Sequence, residues 1–305
     1  MNAHSRVDTD SPLLIHHMAN RDHDYPPNSL SALRYCLEAG ARVVEVDINP
    51  LQGGDFALLH DDALAHETSG QGIVGNTTAE QIRALTRKVS KVVTEEPVGT
   101  LSEAVSLIQD YAGGPFQELQ LDLKIGPTLT TEVLQHLIEM VEPVKELVRV
   151  TSGADWAVRR LRELDPDLPL GFDPLLYIEV ADTGDGIPPF RLGAYGYWDD
   201  HPLAAMRWGP AADYLAARAE ALWAQAPEGV VWYVDAWLFN RSFDDGFDWI
   251  AFLHDRSTEV DAWTLDIEKP RHLALARRVI EAGVDRITTN NAPALAAALG
   301  RAVRF

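Results

Sequence analysis

The chain has 305 residues, 46% of them hydrophobic and 8% aromatic, enough to bury the core of one large α/β domain or two small ones. Its 46 acidic residues against 26 basic ones give a formal charge of -20, which excludes an extended phosphate-backbone-binding face, because such a face needs clustered Lys and Arg. An anionic substrate must then be met locally, by a metal ion or a few placed cations. The single cysteine, Cys36, excludes an intrachain disulfide framework. No stretch reaches the roughly 18 apolar residues of a membrane span, and the opening "MNAHSRVDTD" lacks the charged and apolar regions of a signal peptide. A cytoplasmic protein with no nucleic-acid partner and no stable membrane insertion is the expectation.

Period and punctuation predict alternating strands and helices. Residues 1–10 read as a flexible tail, and "PLLIHHM" (12–18) as the first strand. A helix follows over 28–41, capped by Asn28 or Ser29, then strands at 42–50 and 56–61. After a connecting stretch the pattern predicts a helix over 100–113, a strand over 117–124, a helix over 130–141, a strand over 147–153, a helix over 154–164 and a strand over 168–173. Between 174 and 259 it loosens, leaving a helix around 209–226 and a strand-like 230–239. The segment from about 174 to 228 reads either as a lid or as an insertion packed on the outside. A strand at 260–266, a helix over 270–283 and a strand at 285–290 complete the series. Repeated βα units of this number predict a single (β/α)8 TIM barrel over 11–305, in preference to an open doubly wound sheet. No GxGxxG or Walker pattern follows the first strand.

The chemistry gathers where strands end. Glu45 and Asp47 in "VVEVDINP" are two apart, so they face one way with Cα atoms separated by roughly 6.6 Å. They are either a solvated pair or ligands of a cation, and hard oxygen donors at this spacing suit Ca²⁺ or Mg²⁺. His17 closes the first strand, His60 ends "FALLH", and Asp122 and Lys124 in "LDLK" repeat the spacing of two. In a barrel, C-terminal strand ends converge on one mouth, where active sites of this fold sit. His16 points the other way by alternation and reads as structural, and His23 as solvent-exposed.

These residues carry a resemblance. The chain resembles the glycerophosphodiester phosphodiesterase family, metal-dependent (β/α)8 barrels of the PLC-like phosphodiesterase type, from about residue 13 to 295. The matching pieces are the first-strand histidine, "PPNSLSAL", "GARVVEVDINP", "LLHDDAL", "TSGQGIVGNTTAEQIRAL", "VGTLSEAV", "LDLK", "AWTLD" and "EAGVDRITTN"; their order and spacing make the set strong. The resemblance implies Glu45, Asp47 and Asp122 as ligands of one divalent metal ion, His17 and His60 as an acid/base pair, Lys124 as a cation on the substrate phosphate, and Trp263 as a substrate contact. The substrate it implies is a small phosphodiester.

The departures are informative. Where the family has His-Arg-Gly the chain has His17, Met18 and Ala19, so an arginine is missing, and Arg21 offers a substitute. Pro27 replaces a glutamate. "HMAN", Asp122 in place of Glu and Asn290 in place of Asp are similar to the sphingomyelinase D/phospholipase D toxins, a related barrel family. The lone Cys36 and the long "HETSGQGIVGNTTAEQ" connection are similar to the phosphodiesterases instead. Hydrolysis of a glycerophosphodiester to glycerol phosphate and an alcohol is therefore the expected activity. The alternatives are a transferase acting on lysophospholipids or sphingolipids to give a cyclic phosphate, and a noncatalytic barrel that binds a metal and an anion.

Overall fold

A computed structural model describes residues 11–126, 129–178 and 210–300. The strands in chain order are β1 (Leu13–His16), β2 (Val43–Pro50), β3 (Phe56–Ala57), β4 (Thr86–Val89), β5 (Val92–Pro97), β6 (Glu118–Leu123), β7 (Val148–Ser152), β8 (Leu170–Phe172), β9 (Val231–Asp235), β10 (Val260–Trp263) and β11 (Arg286–Thr289). Eight of them are parallel neighbours in the order β1, β2, β6, β7, β8, β9, β10, β11, and β1 pairs with both β2 and β11. The sheet is thus closed into the expected eight-stranded barrel. No helix among the described residues is long and apolar enough to cross a membrane.

Alternation along β2 shows how the sequence builds both layers. Val44, Val46 and Ile48 join the core under the helices, together with Leu33, Leu37 and Leu119. Val43 turns the other way and meets Ile15, Val231 and Tyr233 inside the barrel, so Glu45 and Asp47, at the same parity, rise toward the mouth. The floor of the barrel is polar, with its charges paired: the Glu118 carboxylate accepts from Arg149 Nε at 2.9 Å and Arg286 Nη1 at 2.7 Å. Burial would raise the Glu118 carboxyl, but the two guanidiniums outweigh it and hold it below its ordinary range.

Two sequence readings are corrected by the structure. Residues 56–61 do not form a barrel strand: only Phe56–Ala57 is extended, antiparallel to Asn49–Pro50 at the end of β2. Gly53 and Gly54, at φ +98 and +96, reverse the chain between them, a backbone that side chains with a Cβ adopt at a cost. The apolar run is split between two cores: Phe56 and Leu58 join the main one, while Ala57 and Leu59 are buried in a second small core with Leu51, Leu64, Val74, Ile82 and Val98. The segment at 230–239 is likewise not one strand. Asp235 accepts hydrogen bonds from the Trp237 and Leu238 N–H groups, and a helix runs over Ala236–Asp244.

The helix expected around 209–226 is present as Ala211–Gln225 and buries Tyr214, Leu215, Ala219 and Leu222 in the main core. A short turn over Pro174–Leu176 opens the expected lid or insertion, of which residues 179–209, like the tail at 1–10, lie outside the described residues.

Gly171 marks the tightest approach inside the barrel. A Cβ there would lie 2.5 Å from a ring carbon of Tyr233 and 2.6 Å from Thr151 Cγ2. Gly171→Ala should therefore cost roughly 1–3 kcal/mol by overpacking, checked as a lowered Tm; an unchanged Tm would mean that the ring has room to move.

Candidate active site

Register explains the carboxylate cluster. In the β2/β6 ladder Asp47 lies directly beside Asp122 and Glu45 beside Gln120, so side chains separated by 75 positions in the chain share one corner of the mouth. One carboxylate oxygen from each of Glu45, Asp47 and Asp122 lies within 4.8 Å of the others. Glu45 and Asp47 are buried, and Lys124 reaches between the aspartates, its Nζ 2.7 Å from Asp47 Oδ1 and 2.5 Å from Asp122 Oδ2.

The surroundings fix this corner. The Met18 N–H donates to Glu45 Oε2 at 2.6 Å. Asn28 clamps the backbone at Asp47, accepting from its N–H at 3.0 Å and donating to its carbonyl at 3.2 Å. Met18 and Asn28 sit at φ 52 and 58, in the left-handed region; Asn tolerates it, and at Met18 it carries a conformational cost that the Glu45 contact offsets. Thr151 Oγ1 donates to Asp122 Oδ1 at 3.3 Å.

The charge balance favours a cation. Burial first, then Asp47 and Asp122, pushes the Glu45 carboxyl well above its ordinary range. Burial works against the charge on Lys124, but Asp122, Asp47 and Glu45 hold it protonated far above its ordinary value. One ammonium cannot balance three carboxylates. Beyond that ammonium, the buried oxygens of Asp47 receive no hydrogen bond among the described residues. Such anionic, undersupplied oxygens are the donor set of a hard divalent ion.

Both expected histidines face the same space. His17, Glu45, His60, Gln120, Asp122, Lys124, Asp173, Tyr233 and Trp263 are among the lining of a cavity of about 320 Å³. His17 Nδ1 lies 2.9 Å from Asn290 Oδ1, while Asn290 Nδ2 donates to both oxygens of Asp266 at 3.0 and 3.1 Å. Those bonds orient the amide with its oxygen toward the imidazole, so His17 carries its proton on Nδ1 and keeps Nε2 free. That Nε2 stands 3.9 Å from Glu45 Oε2. His60 Nδ1 is 2.8 Å from Asp61 Oδ1.

Other expected residues lie elsewhere. His16 is fully buried outside the lining, its imidazole lowered to about 3 by burial first and Arg21 second. His23 is exposed and bonds Asn20 at 2.9 Å. Arg21 is not in the cavity: its charge bears on His16 and on Cys36, which belongs to the helix over Leu30–Glu38. The turn at 17–20 carries Arg21 to the helical side of the wall, so it does not replace the missing arginine.

The sequence pattern does not single out Asp173, Asp61 or His66, and it marks Asn28 only as a cap candidate and Asn290 only as a departure from the family pattern. Asp173 ends the strand run at 168–173 and could have been found by the same strand-end rule. Its carboxyl accepts from the Leu175 N–H at 2.8 Å, and burial raises it well above its ordinary range. Asn290→Ala removes the support of His17 and should lower kcat about tenfold with little change in KM. Steady-state kinetics check this, and a loss confined to KM would contradict it.

With this geometry in place, comparison with known proteins is decisive on kinship. The model of the glycerophosphoryl diester phosphodiesterase family matches residues 21–186. The chain belongs to this family. A glycerophosphodiester phosphodiesterase of Caldanaerobacter subterraneus subsp. tengcongensis is 28% identical over 156 residues, which span 50% of this chain and 61% of that protein. Glycerophosphodiester phosphodiesterase 1 of Bos taurus is 24% identical over 251 residues, 80% of this chain and 69% of the other. Among solved structures, a phosphodiesterase from Oleispira antarctica, in complex with the product sn-glycerol-3-phosphate, superposes with a TM-score of 0.66 at 20% identity, covering 95% of this chain and 98% of that one. A glycerophosphoryl diester phosphodiesterase from Silicibacter pomeroyi gives 0.67 at 20% identity, with 95% and 93% covered. At that identity the structures speak to the shared barrel. All of these relatives bear phosphodiesterase names, and the toxin-like Asn290 of this family member has a local reason in its hold on His17.

Proposed function

We propose that the chain is a metal-dependent phosphoric diester hydrolase that cleaves a glycerophosphodiester to glycerol phosphate and an alcohol. The observation that carries this reading is the convergence of His17 and His60 with Glu45, Asp122 and Lys124 on one cavity of about 320 Å³, with Asp47 completing the carboxylate set behind it. Glu45, Asp47 and Asp122 would hold the cation, and their hard oxygen donors suit Mg²⁺ or Ca²⁺. When bound, such an ion neutralises the charge on the non-bridging phosphoryl oxygens.

The protein's own groups do the rest. One imidazole removes the proton of the attacking water while the other protonates the departing alkoxide, and histidine suits both tasks because its ordinary pKa lies near neutral pH. A free Nε2 on a fixed ring, as at His17, is what proton transfer requires. Lys124 supplies positive charge within the cavity of a chain whose net charge is -20, and Trp263 closes the cavity against the substrate. The names of the relatives and the product bound to the Oleispira protein support the same reaction.

A panel of glycerophosphodiesters and lysolipids, assayed with Mg²⁺, with Ca²⁺ and with EDTA, tests it. Release of glycerol phosphate from a glycerophosphodiester, suppressed by EDTA, is the expected result. Turnover of lysolipids alone would replace the proposed substrate class.

A further inference from the structure

We propose that His66 is a positioning residue for His60, acting through the carboxylate of Asp61 that the two imidazoles share. The inference rests on the phosphodiesterase reading, in which His60 is one of the two acid/base groups. His60 lines the cavity, whereas Asp61 and the exposed His66 lie outside its lining. Asp61 Oδ1 is 2.8 Å from His60 Nδ1, and its other oxygen, Oδ2, is 2.9 Å from His66 Nδ1. The aspartate is also held by its backbone: its N–H donates to Glu67 Oε2 at 2.7 Å. Glu67 lies 3.6 Å from the buried Arg87, whose Nη1 donates to the Leu58 carbonyl at 2.7 Å. The whole loop from Leu58 to Glu67 is therefore anchored to β4, which carries Arg87.

The physical need for the second imidazole lies in the torsion of the carboxylate. The last torsion of an aspartate is soft and broad, so one hydrogen bond leaves the group free to swing away from His60. A donor on each oxygen pins it. An ionised carboxylate only accepts, and the His60 hydrogen bond, with a further one from His66, holds Asp61 below its ordinary range. Both rings must then present Nδ1–H to Asp61. His60 is left with Nε2 free, the mirror of the arrangement that Asn290 imposes on His17. No bond is made or broken at His66; it holds the geometry from which His60 works.

Long-range ¹H–¹⁵N NMR above the ordinary imidazole range reads the His60 tautomer directly, beside kinetics on glycerophosphocholine. Wild type should show one tautomer, protonated on Nδ1. His66→Ala should mix the tautomers and lower kcat about three- to tenfold with KM nearly unchanged. His66→Asn, whose amide N–H can donate to Oδ2, should restore both. A single Nδ1–H tautomer retained in His66→Ala, or Nε2–H in wild type, overturns the proposal. The tautomer is read without substrate, so a failure of the phosphodiesterase reading leaves this readout intact.

Discussion

Alanine at His17 or at His60 lowers kcat about 10²-fold or more, the lower end of what general acid–base catalysis typically contributes. Each ring is fixed by a separate device, His17 by Asn290 backed by Asp266 and His60 by Asp61, so neither can take over the work of the other. Neighbouring histidines supply the control. His23→Ala removes an exposed ring that, among the described residues, is bonded to Asn20, and leaves kcat nearly unchanged. His16→Ala empties a fully buried position, so it lowers Tm while sparing kcat in the folded fraction. Steady-state kinetics with a thermal melt on each variant decide the matter. Equal losses of kcat across all four would mean that the facing of this strand end has been misassigned.

The second large effect is on the cation. Asp47→Asn weakens Mg²⁺ or Ca²⁺ binding by more than the ~10–100-fold typical of losing an outer-shell partner, because it removes an anionic donor that, among the described residues, takes no other hydrogen bond than the Lys124 contact. Lys124→Gln acts in the opposite direction. The ammonium lies 2.7 Å from Asp47 and 2.5 Å from Asp122, in competition with a cation for the same oxygens. Its removal should tighten metal binding while destabilising the metal-free protein, seen as a lower Tm, by no more than the ~3–5 kcal/mol typical of breaking a buried ion pair. Isothermal titration and melts read both signs. Metal binding weakened by Lys124→Gln would show that the lysine organises the carboxylates rather than competing for them.

Much of this site was legible along the chain because alternation in strands is local. Glu45, Asp47, Asp122 and Lys124 each follow from a spacing of two at a strand end, and the barrel rule brings those ends to one mouth. The failures have equally physical causes. "FALL" has the composition of a barrel strand, and period alone does not separate a strand of the barrel from a short antiparallel return; Gly53-Gly54 was the sign of reversal. The excursion from 51 to 100 is built on helices of four and five residues, Leu64–Glu67 and Ala79–Arg83, too short to show a helical period. His17 and Asn290 are 273 positions apart, and such a pairing is set by closure of the barrel, not by any local pattern. Arg21 failed for a related reason: one 3₁₀ turn at His17–Ala19 decides which side of the wall the following side chains take, and no spacing rule covers it.

The most direct test is phosphorus NMR of glycerophosphocholine incubated with the wild-type protein and Mg²⁺ or Ca²⁺, run beside EDTA and Asp47→Asn controls. The account predicts conversion to a linear glycerol phosphate resonance with the metal and neither conversion nor intermediate in the two controls. A cyclic phosphate resonance that persists on standing with enzyme, or conversion that survives the chelator, would contradict it.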